Sequence, residues 1–180
     1  MIVTRSILFQ AAYWLTSIFY VIGALPLLMI PSRKPLMYWI LAYTRTMCLW
    51  MRVIAGIKIR IAGKENIPEG PCITGDHLEK FPLVGGLLKK MGAIVVDNCG
   101  GAYARARLVD EELKIAQGQN RRILFSPEGH LSPAGQQYRY KKGVFHMYNA
   151  YGRPALPVAT NLGLRWPQQS WRLTPGEAVI

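Results

Sequence analysis

The sequence predicts an α/β fold, a largely parallel or mixed sheet flanked by helices, preceded by an N-terminal membrane helix and an interfacial helix. Three observations predict it. Residues 7–30 carry no charge at all. From residue 57 onward, short β-type runs alternate with helical patterns. And nearly every run stops on a turn or a polar residue, as the strands of an open parallel sheet do at their carboxyl ends.

The first element is "ILFQAAYWLTSIFYVIGALPLLMI", residues 7–30, in which Gln10, Thr16 and Ser17 are the only clearly polar side chains. A helix needs ~20 apolar residues to cross a bilayer, and a signal peptide's apolar region is typically ~7–15, so a membrane helix fits better. Arg33 and Lys34 follow the segment while only Arg5 precedes it. That basic bias predicts a cytoplasmic (inner) membrane location with the C-terminal part facing the cytoplasm. The next stretch, "LMYWILAYTRTMCLWMRVIAG", is apolar but carries Arg45 and Arg52 seven residues apart. It reads as an interfacial or re-entrant helix, with Tyr38, Trp39, Tyr43 and Trp50 suited to the headgroup level. Pro26, Pro31 and Pro35 mark bends. Residues 1–55 are thus expected to anchor the chain, and residues 56–180 to form a shortened α/β domain.

Charge supports that division. The net charge is +12, and the first acid is Glu65. Before it stand Arg5, Arg33, Lys34, Arg45, Arg52, Lys58, Arg60 and Lys64, so the basic charge clusters with the apolar part. No zinc-finger spacing or single-strand aromatic signature accompanies it, which argues against nucleic acid and for anionic membrane lipid. Cys48, Cys72 and Cys99 form no C-x-x-C pair and are odd in number. They suggest a reduced compartment, with neither a disulfide framework nor a metal site.

In the second part, "IKIRIAG" alternates Ile57, Ile59 and Ile61 with Lys58 and Arg60, a half-buried strand. "CIT" makes a short strand ending at Gly75-Asp76-His77. Phe81, Val84, Leu87, Leu88 and Met91 form a helical patch, and "AIVVD" is a strand ending at Asp97-Asn98. Residues 102–117 read as a helix with Leu108, Val109, Leu113 and Ala116 inward. "RILF" leads to Ser126-Pro127-Glu128-Gly129-His130, a helix covers 143–151, and "ALPVA" is a strand ending at Thr160-Asn161. The closing "PGEAVI" reads as the start of another strand.

The strand ends form a polar rim in which several roles stay open. His77 suits a general base activating a hydroxyl, or it simply caps a helix together with Asp76. Asp97 stabilises a cation or ends a strand. Glu128 is held between Pro127 and Gly129, which restricts its backbone, though an ordinary turn is built the same way. Lys141-Lys142 is a solvated basic loop or, beside a membrane, a phosphate contact. His146 lies within a helix pattern and reads as a structural or surface residue. No G-x-S-x-G elbow, Walker loop, dinucleotide fingerprint or zinc spacing is present in the sequence.

In this order the blocks resemble the 1-acylglycerol-3-phosphate (lysophosphatidate) acyltransferase family of bacteria, glycerolipid acyltransferases. "GKENIPEGPCITGDH" is similar to the family's approach to its catalytic histidine, "GAIVVDN" to its second block, "ILFSPEGHLS" to its Pro-Glu-Gly block, and "YKKGV…RPALPVATN" to its later blocks. The resemblance covers most of residues 56–167. It implies His77 as the base, with Asp97, Glu128, Gly129 and Lys141 binding substrate, and an acyl-CoA or acyl-carrier protein co-substrate with no resident cofactor. It also exposes departures. Pro82 stands five residues after His77 where the family has an orienting Asp, the interval from His77 to Gly92 is short, Asn98 replaces an arginine, and His130-Leu131 replaces Thr-Arg. The expected function is therefore acyl transfer to the hydroxyl of a lysophospholipid in phospholipid synthesis. The alternative is an inactive membrane-associated relative that binds anionic lipid or a partner.

Overall fold

Within lipid a backbone segment must satisfy its own polar groups, as a helix does, and most of the uncharged run lies in one helix of residues 2–28. The computed structural model describes residues 2–67, 72–76, 90, 94–95, 110–111, 113–119, 122–124, 127–128, 133, 135–136, 138–167 and 170–180. They fall into two compact units, the first of residues 1–67, 131–138 and 157–180, the second of residues 68–130 and 139–156.

In the first unit, α1 (Ile2–Leu28) and α2 (Lys34–Trp50) are joined by a turn that follows Pro26 and precedes Pro35, the latter in the first turn of α2. At 27 residues, α1 is the one described helix long and apolar enough to cross a membrane, and almost none of its most apolar stretch is buried. That exposure separates it from the core helix of a soluble protein. The two helices run antiparallel, because rising positions on α1 meet falling positions on α2. Thr16 Oγ1 accepts from the Trp50 indole at 3.1 Å, Ser17 and Tyr43 share a hydroxyl hydrogen bond at 3.0 Å, and the Trp39 indole donates to the Tyr20 carbonyl at 2.9 Å. Tyr20 and Thr46 are likewise bonded, at 3.1 Å. Three of the four aromatics expected at headgroup level thus face α1, and Tyr38 alone is strongly exposed.

A π-helical turn, Met51–Ala55, ends α2, and Gly56 closes it at φ 73°. That conformation favours glycine, and the space does too. A Cβ there would lie 3.1 Å from the Arg5 guanidinium and 3.2 Å from Pro175. Next comes β1 (Ile57–Arg60), which pairs in parallel with β5 (Gly176–Val179), Ile57 opposite Gly176. The strand expected from "PGEAVI" is present. Phe9, Met51, Ala55, Ile57, Leu173 and Ala178 make the buried core, with Tyr13 and Trp166 packed against it. The Trp166 ring meets Phe9 edge-on at 5.2 Å between centroids.

The second unit holds a three-stranded parallel sheet in the order β3-β2-β4, with β2 (Cys72–Asp76), β3 (Ile94–Val95) and β4 (Arg122–Leu124). Each strand falls on an expected run. Residues 113–118 are helical, with Leu113 and Ala116 buried as the pattern predicts. A further helix, α3 (Lys142–Tyr151), ends at Gly152. The helical patch at 81–91 lies outside the described residues except for Lys90.

One element is corrected. "ALPVA" forms no strand: residues 153–160 are irregular and exposed. Pro157 lacks an amide donor, and the ladder it would join is reached only at Asn161. There the backbone N–H donates to the Val179 carbonyl at 3.2 Å and the side-chain oxygen accepts from the Val179 N–H at 2.8 Å.

Candidate functional site

A parallel sheet puts all its carboxyl ends on one edge, which is where ligands sit in open α/β folds. Here β2 pairs with both neighbours, Gly75 opposite Ile94 on one side and Cys72 opposite Arg122 on the other. So the edge is defined by Asp76 at the end of β2, Val95 at the end of β3 and Leu124 at the end of β4. The sequence runs from those ends directly into the candidate residues. His77 follows Asp76, Asp97 comes two residues after Val95, and Glu128 four after Leu124. His77, Asp97 and Gly129 lie outside the described residues.

Glu128 and Lys141 are described, and the fold brings their backbones together. Pro127 and Glu128 form a turn in which both are half-buried. The Lys141 N–H donates to the Pro127 carbonyl at 2.9 Å. Proline cannot donate a hydrogen bond, but its carbonyl is an unhindered acceptor, and here it ties the Pro-Glu turn to the start of α3. Lys141 is extended at the N-cap, φ −74° and ψ 139°, with no side-chain cap. Lys141 is exposed, and the positive end of the helix dipole begins beside it.

The far end of α3 is fixed separately. Gln117 Nε2 donates to the carbonyls of Ala150 and Tyr151, at 3.2 and 2.7 Å. The Tyr151 ring packs with Ile123 of β4 against Ala116. Sequence reasoning did not single out Gln117. Its partners lie more than thirty residues on, and nothing local marks a surface glutamine as an anchor.

A family model described as Acyltransferase matches residues 59–161, more than half of the chain. The chain belongs to the Acyltransferase family. The matched region runs from β1 to Asn161 and contains all five candidate site residues. Among curated proteins, this acyltransferase-family chain is similar to the 1-acyl-sn-glycerol-3-phosphate acyltransferase of Pseudomonas aeruginosa. The two are 29% identical over 160 residues, covering 73% of this chain and 61% of the relative, so the chain spans about three fifths of that protein's length. Among solved structures it is similar to the 1-acyl-sn-glycerophosphate (LPA) acyltransferase PlsC from Thermotoga maritima. That likeness has a TM-score of 0.69 at 19% identity over 98% of this chain and 83% of the other, which establishes the shared fold.

Proposed function

We propose that this chain is a membrane-bound acyltransferase. In this reading it moves an acyl chain from acyl-CoA or acyl-carrier protein to the hydroxyl of a lysophospholipid such as 1-acylglycerol-3-phosphate. One observation carries it: in a chain of the Acyltransferase family, the three parallel strands β3-β2-β4 end together just before His77, Asp97 and Glu128. His77 takes the proton of the acceptor hydroxyl while its oxygen attacks the thioester carbonyl. The C–S bond breaks, the acyl ester forms, and the proton ends on the departing thiol. The thioester is a co-substrate, so the step calls for no resident cofactor.

Asp97, Glu128, Gly129 and Lys141 are assigned to substrate binding. The Lys141 ammonium suits the acceptor's phosphate, and Glu128 is held in the turn that the Lys141 backbone secures. The apolar α1 supports membrane attachment, and Arg33 and Lys34 support a cytoplasmic orientation at the inner membrane.

A second reading, an inactive lipid-binding relative, is favoured by Pro82, Asn98 and Leu131 at positions where the resembled family carries an orienting Asp and arginines. Loss of an orienting carboxylate costs about 10⁴ in kcat in a serine-protease triad. The test is acyl transfer by protein in nanodiscs, with labelled acyl-CoA or acyl-carrier protein and a series of lysolipid acceptors. Turnover that disappears in both His77→Ala and Glu128→Ala is the expected result. Folded protein with no turnover on any acceptor would replace the first reading with the second.

A further inference from the structure

The helix α3 has two unlike faces. Val144, Met147 and Tyr151 are half-buried, and Gln117 holds the C-terminal end in place. Outward, Lys141, Phe145 and Tyr148 follow one another at i, i+4 and i+7, one face of a helix. Phe145 is 64% exposed, Tyr148 51%, and Tyr140, just before the helix, 68%. Arg139 and Lys142 flank them and are exposed too. Acids are missing from this region of the sequence: none occurs between Glu128 and Glu177.

Three exposed aromatic rings among three cations, with no acid nearby in the chain, do not suit a face turned to bulk water. They match the chemistry of a bilayer interface, where rings lie at headgroup depth and ammonium and guanidinium groups pair with lipid phosphate. We infer that the outward face of Arg139–Tyr148 is a docking surface for anionic lipid, a membrane contact separate from the α1–α2 hairpin. The exposed apolar area decides between a membrane and an acidic protein, since a purely electrostatic partner would leave Phe145 and Tyr140 in water. The inference does not depend on the acyltransferase reading.

The test uses the full chain with Cys48, Cys72 and Cys99 replaced and one cysteine introduced as Asn149→Cys, on the same face as Phe145 but sparing the rings. It carries an environment-sensitive NBD label, and the protein is reconstituted with vesicles containing headgroup-nitroxide lipid. The expected result is a shift to shorter wavelength and quenching in phosphatidylglycerol-containing vesicles, both reduced in pure phosphatidylcholine and by high salt. Both are also largely lost in Arg139→Glu/Lys142→Glu. A label at Leu15→Cys, on α1, should stay membrane-shielded throughout, which separates loss of this contact from loss of the anchor or of folding. Water-like, unquenched emission at position 149 in phosphatidylglycerol vesicles, with position 15 still shielded, would overturn the inference. So would protection at 149 that requires an added acidic carrier protein rather than lipid. The comparison between the two lipids needs only the labelled parent, so it stands even if the charge-reversal variant misfolds.

Discussion

Ser6 is a polar side chain with no exposure, near the start of α1. Its hydroxyl donates to the Ile2 carbonyl at 3.0 Å and accepts from the Leu173 N–H at 3.0 Å. Ser6→Ala removes the acceptor and leaves that buried amide unpaired, which costs about 1–3 kcal/mol. Denaturant unfolding in detergent should report a loss of that size. The exposed Arg60–Glu177 ion pair across β1 and β5 offers the opposite case. Solvent screens both partners, so Arg60→Ala should change the same measurement by less than about 1 kcal/mol. Of these two contacts the buried hydroxyl is the one the fold depends on.

Between helices, the close approach of α1 and α2 rests on Gly23. A Cβ at that position would come within 2.5 Å of the Trp39 ring, whose indole is already committed to the Tyr20 carbonyl. Gly23→Ala must displace a rigid ring, so the hairpin should lose about 1–3 kcal/mol, read as a lower unfolding temperature and a changed Trp emission. This level also separates what the sequence reveals from what it hides. The uncharged run of α1 and the alternation of β1 are local patterns, and both elements lie where those patterns put them. Thr16 and Ser17 read locally as mere polar interruptions, yet they bind the two helices together. "ALPVA" looks like a strand because its apolar composition is local, whereas the ladder it would need is not. The pairing of β1 with β5 is equally non-local, so the strand in "PGEAVI" was legible and its partner was not.

For the whole molecule, the placement of charge and apolar surface decides the behaviour in a membrane fraction. Basic side chains near an anionic surface contribute about 1 kcal/mol each, and salt weakens them over a Debye length of about 8 Å at physiological ionic strength. The exposed apolar side chains of α1, among them Trp14, Leu15, Ile18, Phe19 and Ile22, are indifferent to salt. Washing membranes with high salt should therefore leave the chain in the pellet, and detergent should release it. That His77, Asp97 and Glu128 each come after a strand was legible in the sequence, because the strand runs are local patterns. The link between the Pro127 carbonyl and the Lys141 amide was not, because it joins backbone atoms across a loop whose path no side-chain pattern encodes.

The parallel register of β1 and β5 carries a temporal consequence. Ile57 and Gly176 are partners, and the whole second unit is threaded between them in the chain. During synthesis the hairpin leaves the ribosome long before β5 exists, and at ~5–20 residues per second the delay is on the order of ten seconds. Throughout that interval Phe9, Met51 and Ile57 have no Leu173 or Ala178 to close over them. The nascent hairpin must therefore be sheltered by something other than its own chain until β5 arrives.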